Sequence, residues 1–320
     1  MGPLDRILRS GLKLRHLQML VAVDRFRHVG RAAEFLALSQ PALSRSLAEI
    51  EAMLGLRLFD RSPRGTQPTA FGEAVVRFAR SVLADFERTA DELSALASGA
   101  RGRTAVGAMV VATPVLLARA VADLKARSPR TTVHIEEGDL TALVPKLRGG
   151  ELDLVVGRLE PAHAAPDLET EPLYNEPMVV VAGPRHPLAS RAGVTWADLA
   201  PQPWVVPPPW ASMRRKLAQS FQRHRLEEPT DLVEAVSFLA IVSLVRERPA
   251  VAFMAQSVAR AFAREKLVAV LDIAFRQPLP PVGIVRLRNG PRPPSAEALA
   301  DCLRGVARGI REARAPATRR

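Results

Sequence analysis

The 320-residue chain is long enough for two or three domains, and its 48% hydrophobic content suffices to bury their cores, which excludes a disordered protein. Its formal net charge of +12 is concentrated at the ends. Residues 1–72 hold 11 Lys plus Arg against 6 Asp plus Glu, and residues 304–320 hold 6 against 1, so the part between carries only +2. A nucleic-acid partner is therefore expected for the N-terminal part and not for the body.

The N-terminal part begins with an expected loose extension over residues 1–13, followed by a first helix from residue 14 to about residue 24. A helix-turn-helix pattern comes next. A short helix precedes Ser39, whose hydroxyl suits the cap of a second helix, and Pro41 fits the first turn of that helix. This second helix carries one apolar stripe and ends at a glycine, and its residues are Leu43, Leu47, Ile50, Leu54 and Gly55.

The opposite face of the second helix is small and polar, as a helix that enters the major groove of DNA requires. It holds Pro41, Ser44, Arg45, Ala48 and Glu49. Behind it, residues 61–69 predict a hairpin wing with Pro63, Gly65 and Pro68 as turn residues. Spacing alone leaves an alternative open, which is an ordinary helical hairpin with a solvated polar face.

The block RAAEFLALSQPALSRSLAEIEAMLGLRLFDR (31–61), followed by Arg64, Gly65, Thr69 and Gly72, resembles the winged helix-turn-helix of LysR-type transcriptional regulators almost residue for residue. The resemblance implies a DNA-binding domain over residues 14–72. Base edges would face Gln40, Pro41, Ser44 and Arg45, and phosphates would be held by Ser39, Arg61, Arg64 and Thr69. Two positions depart from the family pattern: His28 replaces the serine that usually caps the first helix of the motif, and Pro68 replaces a leucine.

A long segment with no proline and no internal glycine follows Gly72 and predicts a linker helix over residues 73–99. Its apolar positions recur every three or four residues, at Val75, Phe78, Val82, Phe86, Ala90, Leu93 and Ala97. We expect this helix to form a homodimer, because two recognition helices must lie about one duplex turn apart; packing on its own chain is the alternative. The resemblance further implies a homotetramer on inverted-repeat promoter sites, and it leaves a contact with RNA polymerase open.

After a hinge at residues 100–103, strands and helices alternate, which predicts α/β lobes with helices on the faces of the sheets. Lobe I is expected over 104–175 and 281–312, lobe II over 176–280, and a flexible basic tail over 313–320. This order resembles the type 2 periplasmic solute-binding fold of LysR effector domains. The strings RGGELDLVVG and WVVPPP are similar to the branch that regulates aromatic-acid, sulfonate or sugar catabolism.

Ligands of open α/β sheets bind where strand ends meet helix starts, at the switch between lobes. This rule selects Thr113, Asp139, Leu140 and Arg158 in lobe I, and Pro208, Pro209, Trp210, Ser212, Ser237 and Phe238 in lobe II. Hydroxyl and N–H groups at helix starts favour a small organic anion, whose apolar part Trp210 and Phe238 would flank. Each residue also has a structural alternative: Thr113 as a cap, Trp210 as a core anchor and Arg158 as a surface charge.

The sequence shows no sign of catalytic or metal chemistry. The six histidines lack HExxH and HxxxH spacing, and GxSxG and Walker motifs are absent. The single cysteine, Cys302, allows no disulfide framework, and no apolar run approaches the ~20 residues of a membrane span. We expect a cytoplasmic regulator that binds double-stranded DNA and a small-molecule effector, with no cofactor, no metal and no membrane partner. A solute-binding or small-molecule enzyme module with a helical oligomerisation arm is the alternative.

Overall fold

The computed structural model describes residues 11–62, 65–98, 102–209, 211–273, 275 and 278–313, and the chain divides into two compact units. The first unit holds the described residues up to Ala105 together with 130–132 and 144–153. The second holds 106–129, 133–143 and the described residues from Leu154 on. Within the described part, no helix is long and apolar enough to cross a membrane.

The first unit starts with three helices, a hairpin and a long helix. They are α1 (Leu14–Phe26), α2 (Val29–Phe35), α3 (Gln40–Leu54), β1 (Phe59–Ser62), β2 (Gly65–Pro68) and α4 (Ala70–Ser98). The predicted stripe of α3 forms the centre of the core, since Leu43, Leu47 and Ile50 are at most 1% exposed. The Ser39 hydroxyl caps α3 by accepting the Ala42 N–H at 3.3 Å, and Gly55 ends it in the left-handed conformation, as the sequence predicts.

Helix α4 has two apolar faces with different surroundings. Val76 and Ala79 are buried, and α4 packs against α1 on that side. The predicted stripe lies elsewhere on the helix, where Phe78, Phe86 and Leu93 are 43%, 58% and 63% exposed. The helix therefore packs on its own chain and also presents a second apolar stripe to solvent.

The following elements alternate between strand and helix, as the sequence predicts. In chain order they are β3 (Arg103–Ala108), α5 (Ala118–Arg127), β4 (Thr132–Glu137), α6 (Leu140–Arg148), β5 (Leu154–Arg158), β6 (Leu168–Tyr174), β7 (Met178–Ala182), α7 (Trp196–Leu199), β8 (Trp204–Val206), α8 (Ser212–Arg223), β9 (Leu232–Glu234), α9 (Phe238–Glu247), β10 (Val251–Ala255), α10 (Gln256–Arg264), β11 (Ala269–Val270), β12 (Val282–Leu287) and α11 (Pro294–Glu312).

These strands form two five-stranded sheets. The first has the order β4-β3-β5-β12-β6, and the second has the order β11-β7-β10-β8-β9. In the first sheet β3 and β5 are parallel, whereas β12 is antiparallel to both β5 and β6. In the second sheet β8, β9 and β10 are parallel, and β7 is antiparallel to β10. The chain thus leaves the first sheet after β6 and returns to it with β12.

The start of the helix after β3 differs from the prediction. The sequence predicts a strand up to Ala112 and an α-helix from Val115, but the strand ends at Ala108 and residues Thr113–Leu117 form a π-helical turn. The reason is visible in two backbone bonds: the Ala112 N–H closes a turn on the Met109 carbonyl, and the Leu117 N–H reaches back five residues to Ala112. The α-helical pattern begins only at Ala118.

Candidate DNA-binding and effector sites

The exposed face of α3 holds most of the residues that were expected to meet DNA bases. Gln40, Pro41 and Arg45 are exposed, and Ser44 is half-buried between them and the core stripe. Ser39 is exposed as well, and its hydroxyl only accepts in the cap, so its proton stays available for a phosphate oxygen. The face combines the small residues Pro41 and Ser44 with the exposed donor groups of Gln40 and Arg45, which are side chains that can hydrogen-bond to base edges in a groove.

The wing residues differ in what they offer. Arg61 lies exposed on β1, whereas Arg64 and Pro63 lie outside the described residues. The Thr69 hydroxyl donates to the Arg57 carbonyl at 2.8 Å and accepts the Gly72 N–H at 3.0 Å. A hydroxyl has one proton, so Thr69 could donate to a phosphate only by giving up the Arg57 bond, and its DNA contact stays a prediction.

The departure from the family pattern at His28 has a structural explanation, whereas nothing in the structure explains the one at Pro68. The His28 side chain does the work of the expected serine, because its Nδ1 accepts the N–H of Gly30 at 3.1 Å and of Arg31 at 3.4 Å at the start of α2. Pro68 is the last residue of β2 and lies opposite Phe59 in the hairpin. Neither substitution alters the exposed face of α3.

Glu51 supports the wing, a role that was not predicted from the sequence. Its Oε1 accepts the N–H groups of Leu58 at 2.7 Å and Phe59 at 3.0 Å, so it holds the entry to β1. The sequence did contain a signal, because a carboxylate in the last turn of a helix is disfavoured by the helix dipole unless it has donors of its own.

The predicted effector residues of lobe I lie at one edge of the first sheet. Strands β3 and β5 are parallel. Strand β4 is parallel to β3 as well, because the Thr132 N–H donates to the Gly102 carbonyl at the start of both strands and the Gly138 N–H donates to the Ala108 carbonyl at their ends. The ends of these strands therefore share an edge. Thr113 and Asp139 follow the ends of β3 and β4, and Arg158 is the last residue of β5.

The polar groups at this edge already have local partners. The Thr113 hydroxyl donates to the Met109 carbonyl at 3.4 Å, and an Asp139 carboxylate oxygen caps α6 by accepting the Ala142 N–H at 2.9 Å. Leu140 is only 4% exposed. Direct contacts of these side chains with an effector stay predictions, and they would have to compete with these bonds.

The predicted residues of lobe II also gather at one sheet edge. Pro208 and Pro209 follow β8, while Ser237 and Phe238 follow β9, which is parallel to β8. The Ser237 hydroxyl caps α9 through the Ala240 N–H at 3.5 Å, and Phe238 is half-buried. Trp210 lies outside the described residues, as does the side chain of Ser212, the first residue of α8.

Arg158 is buried, so the alternative that it is a surface charge is wrong. It is 5% exposed and donates to the backbone carbonyl of Pro280 at 2.7 Å and to that of Glu176 at 3.0 Å. These carbonyls belong to the two crossings between the sheets, from β6 to β7 and from β11 to β12. Burial lowers the pKa of Arg158, and the nearby Glu176 carboxylate opposes this effect. The guanidinium thus joins both crossings, and direct contact with an effector stays a prediction.

Glu176 is the second residue that the sequence analysis missed. It is 1% exposed, and its Oε1 accepts the Ser257 N–H at 3.0 Å near the start of α10. Since β7 is antiparallel to β10, with Met178 opposite Ala255, the first crossing lies at the edge where the parallel strands of the second sheet end. Val282 lies opposite Arg158 in the first sheet, so the second crossing reaches the corresponding edge there. The two sets of predicted effector residues therefore lie on the sides of the sheets that the crossings connect.

Two family models match the chain and together cover 272 of its 320 residues. Residues 14–73 match "Bacterial regulatory helix-turn-helix protein, lysR family", and residues 97–308 match "LysR substrate binding domain". The second match alone spans well over half of the chain.

Relatives and solved structures agree with these matches. The chain is 30% identical over 308 residues to the HTH-type transcriptional regulator GbpR of Azospirillum brasilense, covering 95% of this chain and 89% of GbpR. It is 32% identical to the HTH-type transcriptional regulator GalR of Pseudomonas putida, covering 91% and 73% of the two chains. A full-length OxyR variant from Pseudomonas aeruginosa superposes with a TM-score of 0.65 at 28% identity, covering 93% of this chain and 97% of OxyR.

Proposed function

The chain belongs to the LysR family of bacterial transcriptional regulators, with a helix-turn-helix domain and an effector-binding domain. We propose that it binds an inverted repeat in promoter DNA and that a small organic anion regulates this binding. The alternative of a solute-binding or enzyme module does not hold, because the family and the relatives are transcriptional regulators. We place the DNA-binding domain at residues 14–72 and the linker helix at 73–99, while α4 itself begins three residues earlier, at Ala70. We place the hinge at 100–103, although Arg103 is already the first residue of β3. Lobe I comprises 104–175 and 281–312, and lobe II 176–280.

The small exposed face of α3 is the observation that carries this proposal. In this proposal the α3 residues Gln40, Pro41, Ser44 and Arg45 contact base edges, while Ser39 and the wing residue Arg61 bind phosphates. Arg64 and Thr69 complete the phosphate contacts in this proposal. The basic excess of the first 72 residues supplies the attraction to the duplex that does not depend on sequence.

A DNA-binding measurement with a size-matched pair of variants tests this proposal. The wild-type chain should prefer a promoter duplex over random duplex by at least ~10³ across a salt series. Ser44→Trp should abolish that preference, because the indole holds α3 away from the base edges, whereas Ser44→Ala should retain most of it. Dimerisation and effector binding should survive in both variants. Equal binding by Ser44→Trp and Ser44→Ala would refute the assignment of this face.

The exposed stripe on α4 supports a homodimer through the linker helix. Phe78, Phe86 and Leu93 present apolar surface at helical spacing, and a second copy of the same stripe would remove it from water. A two-fold axis along this helix would set two recognition helices at a fixed separation, as an inverted repeat requires. In this proposal dimers associate further into a homotetramer, which acts in the cytoplasm.

The effector of this proposal binds between the sheet edges that the crossings connect, where Thr113, Asp139, Leu140 and Arg158 approach Pro208, Pro209, Trp210, Ser212, Ser237 and Phe238. Helix starts on both sides favour an anion. A relative from a Pseudomonas species, 34% identical over 239 residues and covering 73% of this chain, is named "SDS degradation transcriptional activation protein", and SDS is an organic anion. We propose that the effector belongs to the aromatic acids, sulfonates or sugar acids.

Effector closure of the two lobes would change how dimers pack in the tetramer and so alter the bend of the bound DNA. Thermal-shift screening with benzoate, an alkanesulfonate and gluconate as probes identifies the class, because a ligand at 100 times its Kd stabilises the native state by ~2.7 kcal/mol. The same compound should change the DNA footprint. A stabilising compound that left footprint and bend unchanged would refute this mechanism.

A further inference from the structure

Arg27 has a backbone conformation that arginine does not favour. It follows α1 with φ 51° and ψ 21°, in the left-handed region, where its N–H bonds to the Val23 carbonyl at 2.9 Å. A glycine adopts this conformation without the steric conflict that a Cβ causes. The backbone alone therefore does not explain an arginine at this position.

The wing strand β2 is bonded to Arg27 twice. The Arg27 carbonyl accepts the Thr66 N–H at 2.8 Å, and its Nη1 donates to Gln67 Oε1 at 3.1 Å. The approach is close, because a Cβ added to Gly65 would lie 2.8 Å from the Arg27 carbonyl oxygen. One residue at the end of α1 thus holds both the backbone and a side chain of the wing.

Asp24 extends this contact to the linker helix. One of its carboxylate oxygens lies 2.9 Å from Arg27 Nη2, and the other lies 2.8 Å from Arg80 Nη2 on α4. The Asp24 side chain is 11% exposed, but those of Arg27 and Arg80 are 44% and 34% exposed, so water partly screens both pairs. Arg80 Nη1 also lies 3.3 Å from Glu151 Oε1. A continuous polar chain therefore runs from Gln67 through Arg27 and Asp24 to Arg80.

We propose that this chain fixes the angle between the wing and the linker helix, and that Arg27 is a positioning residue for DNA binding. The inference rests on the proposed function, because it concerns the same DNA-binding domain. A hairpin of two four-residue strands has little stability of its own and takes its orientation from what it packs against. Glu51 holds the start of β1, and Arg27 holds β2. In a symmetric dimer through α4, both wings, each with its Arg61, then lie at a defined distance from the two-fold axis.

The test compares two variants with a control that removes the same charge. Arg27→Gly keeps the left-handed backbone without strain and removes the guanidinium, so its unfolding midpoint should equal or exceed that of wild type. Its affinity for the promoter duplex should fall about three- to tenfold, because the exposed Arg27–Gln67 hydrogen bond contributes no more than an ordinary one and DNA binding must then supply the free energy of orienting the wing. Hydroxyl-radical protection should weaken at the outer phosphates beside the wings and persist at the central bases under α3.

Gln67→Met tests the same contact from the exposed side of the wing, where loss of folding is not a concern. It should weaken protection at the same outer phosphates. The double variant Arg27→Gly with Gln67→Met should lose little more affinity than either single variant, because both substitutions remove the same Arg27–Gln67 hydrogen bond. The control is Arg25→Ala, whose guanidinium lies 5.4 Å from the ring centres of Phe26 and Phe35 and not on the wing. It should leave the outer protection intact.

If Arg27→Gly and Gln67→Met gave the same footprint as Arg25→Ala, the polar contacts from Gln67 to Arg80 would not position the wing, and the proposal would be overturned. A wild-type chain without any site preference on duplex DNA would instead overturn the proposed function, and this proposal with it.

Discussion

Replacing Arg158 by methionine should destabilise the effector domain strongly. The change removes the donors of two crossing carbonyls, at 2.7 and 3.0 Å, and the positive charge that faces the buried Glu176. Removing one partner of a buried ionic contact costs about 3–5 kcal/mol. For a domain of this size, that corresponds to a fall in Tm of roughly 6–20 °C.

Tryptophan fluorescence during heating measures this effect, because all three tryptophans lie between residues 196 and 210 and Trp204 is 1% exposed. Arg288→Met is a matched control. Arg288 also donates to two backbone carbonyls, those of Pro166 at 3.0 Å and Leu168 at 3.2 Å, but it is exposed. Water can replace its bonds, so its loss should cost less than about 1 kcal/mol.

The double variant Arg158→Met with Glu176→Gln should recover part of the lost stability, because it no longer buries a carboxylate without the facing charge. An Arg158→Met protein that melted together with Arg288→Met would refute the structural role of this guanidinium. If that protein also lost its thermal shift with the effector, Arg158 would be an effector ligand, as the sequence suggested.

Three further predictions concern other parts of the chain. His28→Ala should destabilise the DNA-binding domain by about 1 kcal/mol in urea unfolding, whereas His28→Ser, which restores a hydroxyl cap, should stay within a few tenths of wild type; equal loss in both would argue against the cap. Phe86→Asp should shift sedimentation velocity from dimer towards monomer, while Glu87→Ala, an exposed neighbour outside the apolar stripe, should not; an unchanged dimer would exclude this stripe from the interface. The hydrogen bond from Arg304 lowers the pKa of Glu171, so this pair stabilises the fold at neutral pH and the contribution is lost as the pH falls through that lowered pKa. The Tm difference between wild type and Arg304→Met should therefore shrink on acidification below the ordinary carboxyl range, and a constant difference would contradict the pairing.

The local part of the fold could be predicted because its signals lie within a few residues of each other. The stripe of α3, the Ser39 cap and Gly55 each depend on neighbours within one or two helical turns, and all three are confirmed. The short helix α7 was missed although its signal is also local. Thr195 and Asp198 form a reciprocal capping box at the expected spacing.

The contacts that organise the two sites could not be predicted in this way. Arg158 meets partners 18 and 122 residues away, and Arg27 and Gln67 are 40 residues apart. Nothing in the neighbourhood of either arginine reveals those partners, because they are set by the sheet order and by the packing of the hairpin. The left-handed backbone at Arg27 is equally hidden, since only a glycine would have marked it in the sequence.

The position of β12 has a consequence for biosynthesis. Because β12 lies between β5 and β6, a nascent chain that has produced β6 holds two strands whose shared neighbour has not yet been translated. At ~10 residues per second, the ribosome needs on the order of ten seconds to add the 113 residues that follow Tyr174, up to Leu287. During that time the first 98 residues can complete their own core, while the first sheet exposes strand edges that favour aggregation. A premature stop before Val282 would therefore produce a chain that retains its DNA-binding domain but has an open first sheet, a combination suited to occupy promoters or to recruit chaperones.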